Sequence, residues 1–428
     1  MNNPLAVALR GKGLLTLMRR AISILRQYGL TTRPMERELQ VLAEVLREFQ
    51  CQGTFPTVAT VLARHPHLFR AYQAQGFEFA IHGYRHLDHN LMSAPEQTAM
   101  LARAKQVFEA AGVTAQGFRG PYLHANADAL AALRQQGLRY DSSQGLAWDV
   151  LDGPEPPPYR HVLDFYGALP AARYPSLPTL ENGLVRIPYS LPDDEALANR
   201  LGKLTTEQQT TLWLAILHRT YELGELFTIG LHPERAQFCR APLTAVLRTA
   251  RERQPSIWIA RLDEIAAWWQ ARYAAQATLT YASTGEFTVT VTGPPGVTLL
   301  ARAVDMETPT QPWIDGYHLV DGLTLHGHAP LRPWIGLAPT AAPALADWLH
   351  QQGYLTEPAT GPEGYACYLD QPAFPVKEQR PLLARLEALQ GPLVRLGRWP
   401  HGARSALTIT GDIDCLTWWD YLARFWEH

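Results

Sequence analysis

At 428 residues the chain exceeds one ordinary domain and has room for two, or for one barrel with an insertion. Its composition, 46% hydrophobic and 18% charged with ample Gly and Pro for loops, is that of a soluble globular protein rather than a disordered or fibrous one. A net charge of −2 and the lack of a long basic run argue against a nucleic-acid partner.

Four scattered cysteines (Cys51, Cys239, Cys367, Cys415) show no metal-ligand spacing and no disulfide framework. They read as free thiols of a reducing compartment. The opening stretch lacks the basic, apolar and small-residue order of a secretory leader, and no apolar stretch reaches spanning length. The expectation is therefore a cytoplasmic protein with no transmembrane segment. Residues 13–28 make an amphipathic helix carrying Arg19, Arg20 and Arg26, expected to pack against the rest of the protein.

From about 34 to 275, short apolar strands alternate with helical patterns. "ERELQVLAEVLREFQ" has helical spacing and "GTFPTVATV" follows as a strand. "RHPHLFRAYQAQG" is a helix and "FEFAIH" a strand. The next helix opens on Ser93, three residues before Glu96, a capping-box spacing. "QGFRG", "LRYDSS", "LVRIPYS", "LFTIGLH" and "SIWIARL" are further strands, with helices between most of them, notably 206–224. Such alternation points to an α/β fold of parallel strands, most economically a (β/α) barrel or a distorted relative. Chemistry in such barrels sits where strands end, and His82, Arg119, Asp141 and His232 each close a strand.

From 277 the texture changes to alternating apolar and Thr/Ser residues broken at "GPPG", which predicts a small all-β, sandwich-like insertion over 277–340. Residues 341–428 return to α/β. Near their end "SALTITGDIDCLTWWDY" reads as a buried strand that stops on Asp412 and Asp414.

His82 and His86 lie four residues apart from a strand end, with Gly83 allowing a tight turn. On one helical turn that spacing aims two imidazoles at one divalent metal. Zinc held by two His wants a third, oxygen ligand and an open position for water. Arg119, beside such a site, can hold a carboxylate ionised and in place. His232, at the end of a very apolar strand, is suited to protonating a leaving group.

Taken together, His82-Gly-Tyr-Arg-His86, "FRGPY" and "LHP" resemble, in order and spacing, the motifs of the polysaccharide deacetylases, the NodB-like group of carbohydrate esterase family four. "YDSS" and "IWIARLDEIAAWW" add to the likeness. In that family the first strand ends in two acids, but the corresponding slot here, "MRRAISILRQYGL", has none. "LTITGDID" looks like the missing strand, displaced to the C-terminus. The resemblance thus implies a circularly permuted, distorted (β/α) barrel: residues 1–276 as its main part, 277–340 as the insertion, and 405–414 as the first strand supplied last.

It further implies a metal-dependent hydrolase, acting on non-peptide carbon–nitrogen bonds, that removes N-acetyl groups from an amino sugar or polysaccharide. Asp414, His82 and His86 would hold the metal, most readily Zn2+. Asp412 would be the base, held by Arg119, and His232 the acid, while the Tyr122 N–H would steady the oxyanion. Asp141 and Asp193 are both candidates to orient His232, and Trp148 could stack on a sugar. Two departures stand out: the acids are separated by Ile413, and Gly120 replaces a frequent Pro. A non-catalytic sugar-binding relative, or a deacylase of a small or nucleotide-linked amide, are the rival readings.

Overall fold

The computed structural model describes residues 28–424. The helix expected at 13–28 thus lies, but for Tyr28, outside the described residues. At its centre is a curled, mostly parallel sheet. Its parallel strands in chain order are β1 (Thr54–Thr57), β2 (Glu78–Ile81), β3 (Gly117–Phe118), β4 (Tyr140–Asp141), β5 (Leu184–Arg186), β6 (Leu226–Leu231), β7 (Ile257–Ile259) and β8 (Ser405–Gly411). Their spatial order is β6-β8-β1-β2-β3-β4-β5, and Thr179–Glu181 adds an antiparallel edge to β5.

The last of these strands is therefore internal. Along one edge β8 pairs in parallel with all of β6, from Leu226 opposite Ala406 to Leu231 opposite Gly411. Its other edge is shared by β7, at Ser405–Leu407, and by β1, at Thr410. Every residue of β6 and β8 is buried, as expected of parallel strands covered on both faces, which read as apolar runs rather than alternating ones. The two ends of the sheet are drawn together by side chains. The Thr228 hydroxyl donates to the Pro188 carbonyl at 2.6 Å, and the Thr228 N–H to Ser190 Oγ at 3.3 Å.

Amphipathic helices cover this sheet. Arg33–Glu48 buries Met35, Leu39, Leu42 and Leu46, one stripe at helical spacing. Each such leucine contributes roughly 2 kcal/mol when fully removed from water. Ala94–Ala110 starts with the expected capping box, the Ser93 N–H donating to Glu96 Oε2 at 2.8 Å. The strand expected at "GTFPTVATV" is shorter, because Ala59–Arg64 turns to helix directly after Val58.

Beyond Tyr273 lie two antiparallel sheets. One holds Gln276–Tyr281, Glu286–Thr292, Thr324–His328 and Asp305–Met306; the other holds Thr310–Pro312, His318–Val320, Leu299–Arg302 and Leu393–Leu396. The second sheet takes its last strand from well past residue 340. A parallel trio (Arg332–Leu337, Thr356–Pro358, Tyr365–Leu369) follows.

This β-rich part is joined to the barrel by buried arginines set on helix C-termini. Arg398 Nη1 and the Trp399 indole donate to the Gly224 carbonyl at 2.9 and 3.0 Å, where helix Thr206–Leu223 ends. Arg404 Nε reaches the Tyr221 carbonyl of the same helix at 3.1 Å. Arg272 donates across the same boundary to the Gln351 carbonyl, closing Pro343–Gln351, while within the β-rich part Arg302 donates to the carbonyls of Leu386 and Glu387, closing Gln379–Glu387. A cation at a helix C-terminus meets both the orphan carbonyls and the negative end of the dipole. Among the described residues no helix is long and apolar enough to cross a membrane.

Candidate active site and metal centre

Strand β8 continues into Asp412 and Asp414, and its neighbours fix where each points. The Asp412 N–H donates to the Leu231 carbonyl on the β6 side at 2.9 Å, and the Ile413 N–H to the Pro56 carbonyl on the β1 side at 2.7 Å. Ile413 is thereby turned into the core, 1% exposed. The two acids, one residue apart, share the opposite face, which is how a separated pair can serve one site.

Asp414 meets the two histidines. His82 Nε2 lies 3.5 Å from Asp414 Oδ1, and His86 Nε2 lies 3.4 Å from Oδ2. One donor atom from each of the three falls within 4.8 Å of the others. His82 to His86 is not the expected helical turn. Gly83 adopts a left-handed conformation (φ +80°), and the chain bends through 84–86 without helix. The imidazole centroids still approach to 5.2 Å. His82 Nδ1 donates to the Arg119 carbonyl at 2.7 Å, which orients the ring and turns Nε2 toward Asp414.

Burial drives the His86 pKa down to about 3, against the pull of the Asp414 carboxylate. Burial also opposes ionisation of Asp414, but the His86 ring and the Arg424 guanidinium beside it more than offset this and hold the carboxyl well below its usual range. Arg424 Nη2 is 3.2 Å from Asp414 Oδ2 and 2.8 Å from its carbonyl. Asp414 Oδ1 is buried with no hydrogen-bond partner. That orphaned oxygen, with His82 Nε2 3.5 Å away and His86 Nε2 on the other side of the carboxylate, marks a point that a cation would fill. Two imidazoles and a carboxylate are also the donor set of a catalytic zinc site with positions left open. The residues therefore fit a divalent metal.

Arg119 is wholly buried. Its Nη1 donates to Asp412 Oδ1 at 2.7 Å and Thr410 Oγ1 at 2.8 Å, while Nε and Nη2 hold the Ser142 carbonyl and hydroxyl at 3.0 Å each. Its guanidinium lies 4.6 Å from the centroid of the Tyr189 ring. The loop after β3 carries Tyr122 and Leu123 at φ +60° and +59°, conformations that cost energy for residues with a Cβ and cluster at functional sites. Gly120 suits this loop: a Cβ there would sit 2.0 Å from the His124 carbonyl oxygen.

His232 is held by Asp194, not by Asp141 or Asp193. Asp194 Oδ1 lies 2.7 Å from His232 Nδ1, and Oδ2 accepts the His232 backbone N–H at 2.7 Å. Burial favours the neutral ring, but the charge and hydrogen bond of Asp194 outweigh it and raise the His232 pKa well above its ordinary value. Asp193 is occupied as the N-cap of helix Asp194–Asn199, accepting from Ala196 N–H and the Tyr189 hydroxyl at 2.9 Å each. Burial, then the Asp194 charge, push its pKa up to about 6. Asp141 is committed to Arg186 Nε at 2.8 Å and to the Ser143 hydroxyl.

A cleft of about 660 Å³ is lined by Asp412, Asp414, His82, His86, His232 and Tyr122, and by Asp193 at its side. Trp148 lines a different depression and is buried, its indole N–H on Ser190 Oγ at 3.3 Å, so the sugar-stacking role is not supported by its position. Arg235, 3.4 Å from Asp194, and Glu234, Tyr421 and Arg424 also face the cleft; the sequence did not single them out.

Residues 35–140 match the family model for polysaccharide deacetylase. No curated protein matches the chain. Among solved structures it is similar to a protein from Mycobacterium smegmatis assigned as a polysaccharide deacetylase, with 22% identity and a TM-score of 0.45 over 65% of this chain and 88% of that one. A similarly assigned protein from Pseudomonas aeruginosa PAO1 shows 22% identity and a TM-score of 0.43 over 54% and 72%. The PuuE allantoinase shows 21% identity and 0.43 over 55% and 72%. The likeness to the polysaccharide deacetylase family model is thus carried by residues 35–140.

Proposed function

We propose that the protein is a metal-dependent deacetylase that hydrolyses the N-acetyl group of an amino sugar, free or within a polysaccharide. The observation that carries this reading is the convergence of Asp414 with His82 and His86 beside a second acid, Asp412, that is held by a buried arginine. His82, His86 and Asp414 would hold a divalent metal, with zinc the best match to the donor set. When bound, the metal would act as a Lewis acid on the amide carbonyl and make water a better nucleophile.

Asp412 accepts the proton of the attacking water, oriented by the bond from Arg119 Nη1 at 2.7 Å. The Tyr122 N–H, on its strained loop, faces the carbonyl oxygen as charge develops on it. His232, charged and aligned by Asp194, gives a proton to the departing nitrogen, so that a neutral amine leaves with acetate as the other product.

The same reading makes β8 the family's first strand supplied last, a circular permutation, and treats 277–340 as an all-β insertion bridging the barrel's old end to its new one. The parallel seating of β8 between β6 and β1 supports the first of these. The test is acetate release from N-acetylated amino sugars by the zinc-loaded and the chelated protein. Release that depends on metal and is lost in Asp414→Ala supports the function; release that survives chelation and this substitution refutes it.

A further inference from the structure

The hydrolytic steps make no use of Arg424, although it lines the cleft. Its guanidinium stands closer to the Asp414 carboxylate than either imidazole does. Arg424 Nη2 lies 3.2 Å from Asp414 Oδ2, against 3.4 Å for His86 Nε2 on the same oxygen and 3.5 Å for His82 Nε2 on Oδ1. The same Nη2 donates to the Asp414 backbone carbonyl at 2.8 Å. Any cation held between this carboxylate and the histidines must therefore share it with a guanidinium.

The fold takes trouble to put it there. Arg424 is the C-cap of the short helix Trp418–Ala423, which begins just past Asp414. Asp420 fixes the start of that helix: it closes a capping box with Thr417 and accepts the Leu416 N–H at 3.1 Å. Its other oxygen takes Arg64 Nη1 at 2.9 Å. The Trp418 N–H donates to the Gly29 carbonyl at 2.8 Å, and the Tyr421 ring stacks on Tyr28, centroids 6.3 Å apart. A helix moored in this way turns the chain back on itself, so that the residue ten positions after Asp414 rests against it. The Arg424 side chain is 25% exposed, and its Nε is buried without a partner.

A guanidinium on a metal ligand acts in two directions. It keeps its charge at any physiological pH, so it balances the carboxylate and keeps it aimed at the histidines with or without a metal. It also opposes the metal. Partners that back a metal ligand usually make it a stronger donor. A cation does the reverse: it draws electron density from the carboxylate and sets a like charge beside a divalent ion. We propose that Arg424 is a built-in counter-cation of the metal centre, which holds Asp414 in place before loading and weakens the grip on the metal afterwards, so that zinc stays exchangeable and loading follows its free concentration. This rests on the metal-dependent reading and adds the regulation of that site.

The test measures the zinc affinity of the full chain by competition with a chromophoric chelator, which needs no turnover, with a melting curve on each sample. Arg424→Gln keeps a donor for the Asp414 carbonyl and removes the charge. It should bind zinc about tenfold more tightly than the wild type and surrender it more slowly to excess chelator. Arg424→Met, apolar and of similar length, should tighten zinc to the same extent, because charge rather than hydrogen bonding sets the effect. Arg424→Lys keeps the charge and should stay within about threefold of the wild type. Zinc bound no more tightly, or more weakly, by the folded neutral variants would overturn the role of Arg424 and leave the metal centre standing. A wild-type chain that bound no zinc would defeat the metal-dependent reading and this inference with it.

Discussion

The metal cleft and the arginine junction both bury charge, and what sets them apart is what that charge faces. At the junction, Arg272, Arg398 and Arg404 each donate to the carbonyl of a helix C-terminus, and Arg404 is also paired to Asp315 at 2.6 Å. Each guanidinium thus has its own backbone partner, although Arg272 Nε and Nη1 and Arg398 Nε stay buried without one. In the cleft, Asp414 keeps a buried oxygen with no donor, His82 and His86 turn Nε2 toward its carboxylate, and Tyr122 holds a strained backbone. Orphaned polar atoms occur in both regions, so what separates the functional cluster from the structural one is convergence: three donor groups meet at one point on an open cleft.

The sharpest way to break this contrast is Asp414→Ala. Removing one of three ligands should weaken zinc binding at least ~100-fold and abolish activity, while the protein stays folded with a modest loss of stability from the lost Arg424 Nη2–Oδ2 pair at 3.2 Å. Zinc content and a melting curve on the same sample check both halves. Asp412→Asn comes next: it should keep the metal and lower kcat by ~10²–10⁴, the usual range for a general base, as read from acetate release at saturating zinc.

Asp194→Asn should have a smaller effect, roughly 10–100-fold in kcat, together with a change in pH profile whose sign is fixed. Asp194 raises the His232 pKa, so the acid stays protonated through neutral pH in the wild type. Without that charge the pKa falls, the protonated fraction drops sooner, and the alkaline limb of kcat moves to lower pH. A limb that stayed in place would remove His232 from the role of acid. The smallest effect on turnover belongs to the junction. Arg398→Met should lower stability by about 2 kcal/mol, the scale of a hydrogen bond to a charged group, and leave kcat per folded molecule unchanged. Loss of turnover at full folding would mean that the two regions are not separable.

Much of the site could be read from the residues, because it rests on local spacing. His82 and His86, the Asp412–Asp414 pair, and the strand-end positions of Arg119 and His232 all survive into the structure as neighbours. Asp194 was missed for a physical reason that is itself legible. In "LPDDEALAN" the first acid has the position of an N-cap, and a capping carboxylate is consumed by the helix's own N–H groups. The second, one residue into the helix, is then free to reach His232. Arg424 and Arg235 were invisible because nothing local marks an arginine as facing a cleft. The junction was equally hidden: its arginines meet helices far away in sequence, Arg398 and Gly224 being 174 residues apart. Nor did the texture of 277–340 announce that Leu393–Leu396 would complete its second sheet.

Placing β8 in the interior of the sheet has a consequence for how the molecule is made. Arg119 waits for a partner 293 residues downstream, so during synthesis the edges of β6 and β1 that β8 will cover stay bare until that strand has been made. Unpaired parallel edges are templates for wrong partners, and contacts of such long range form slowly. Until β8 has docked those edges stay open, and the proposed centre, which takes Asp412 and Asp414 from the end of that strand, has no acids to assemble around.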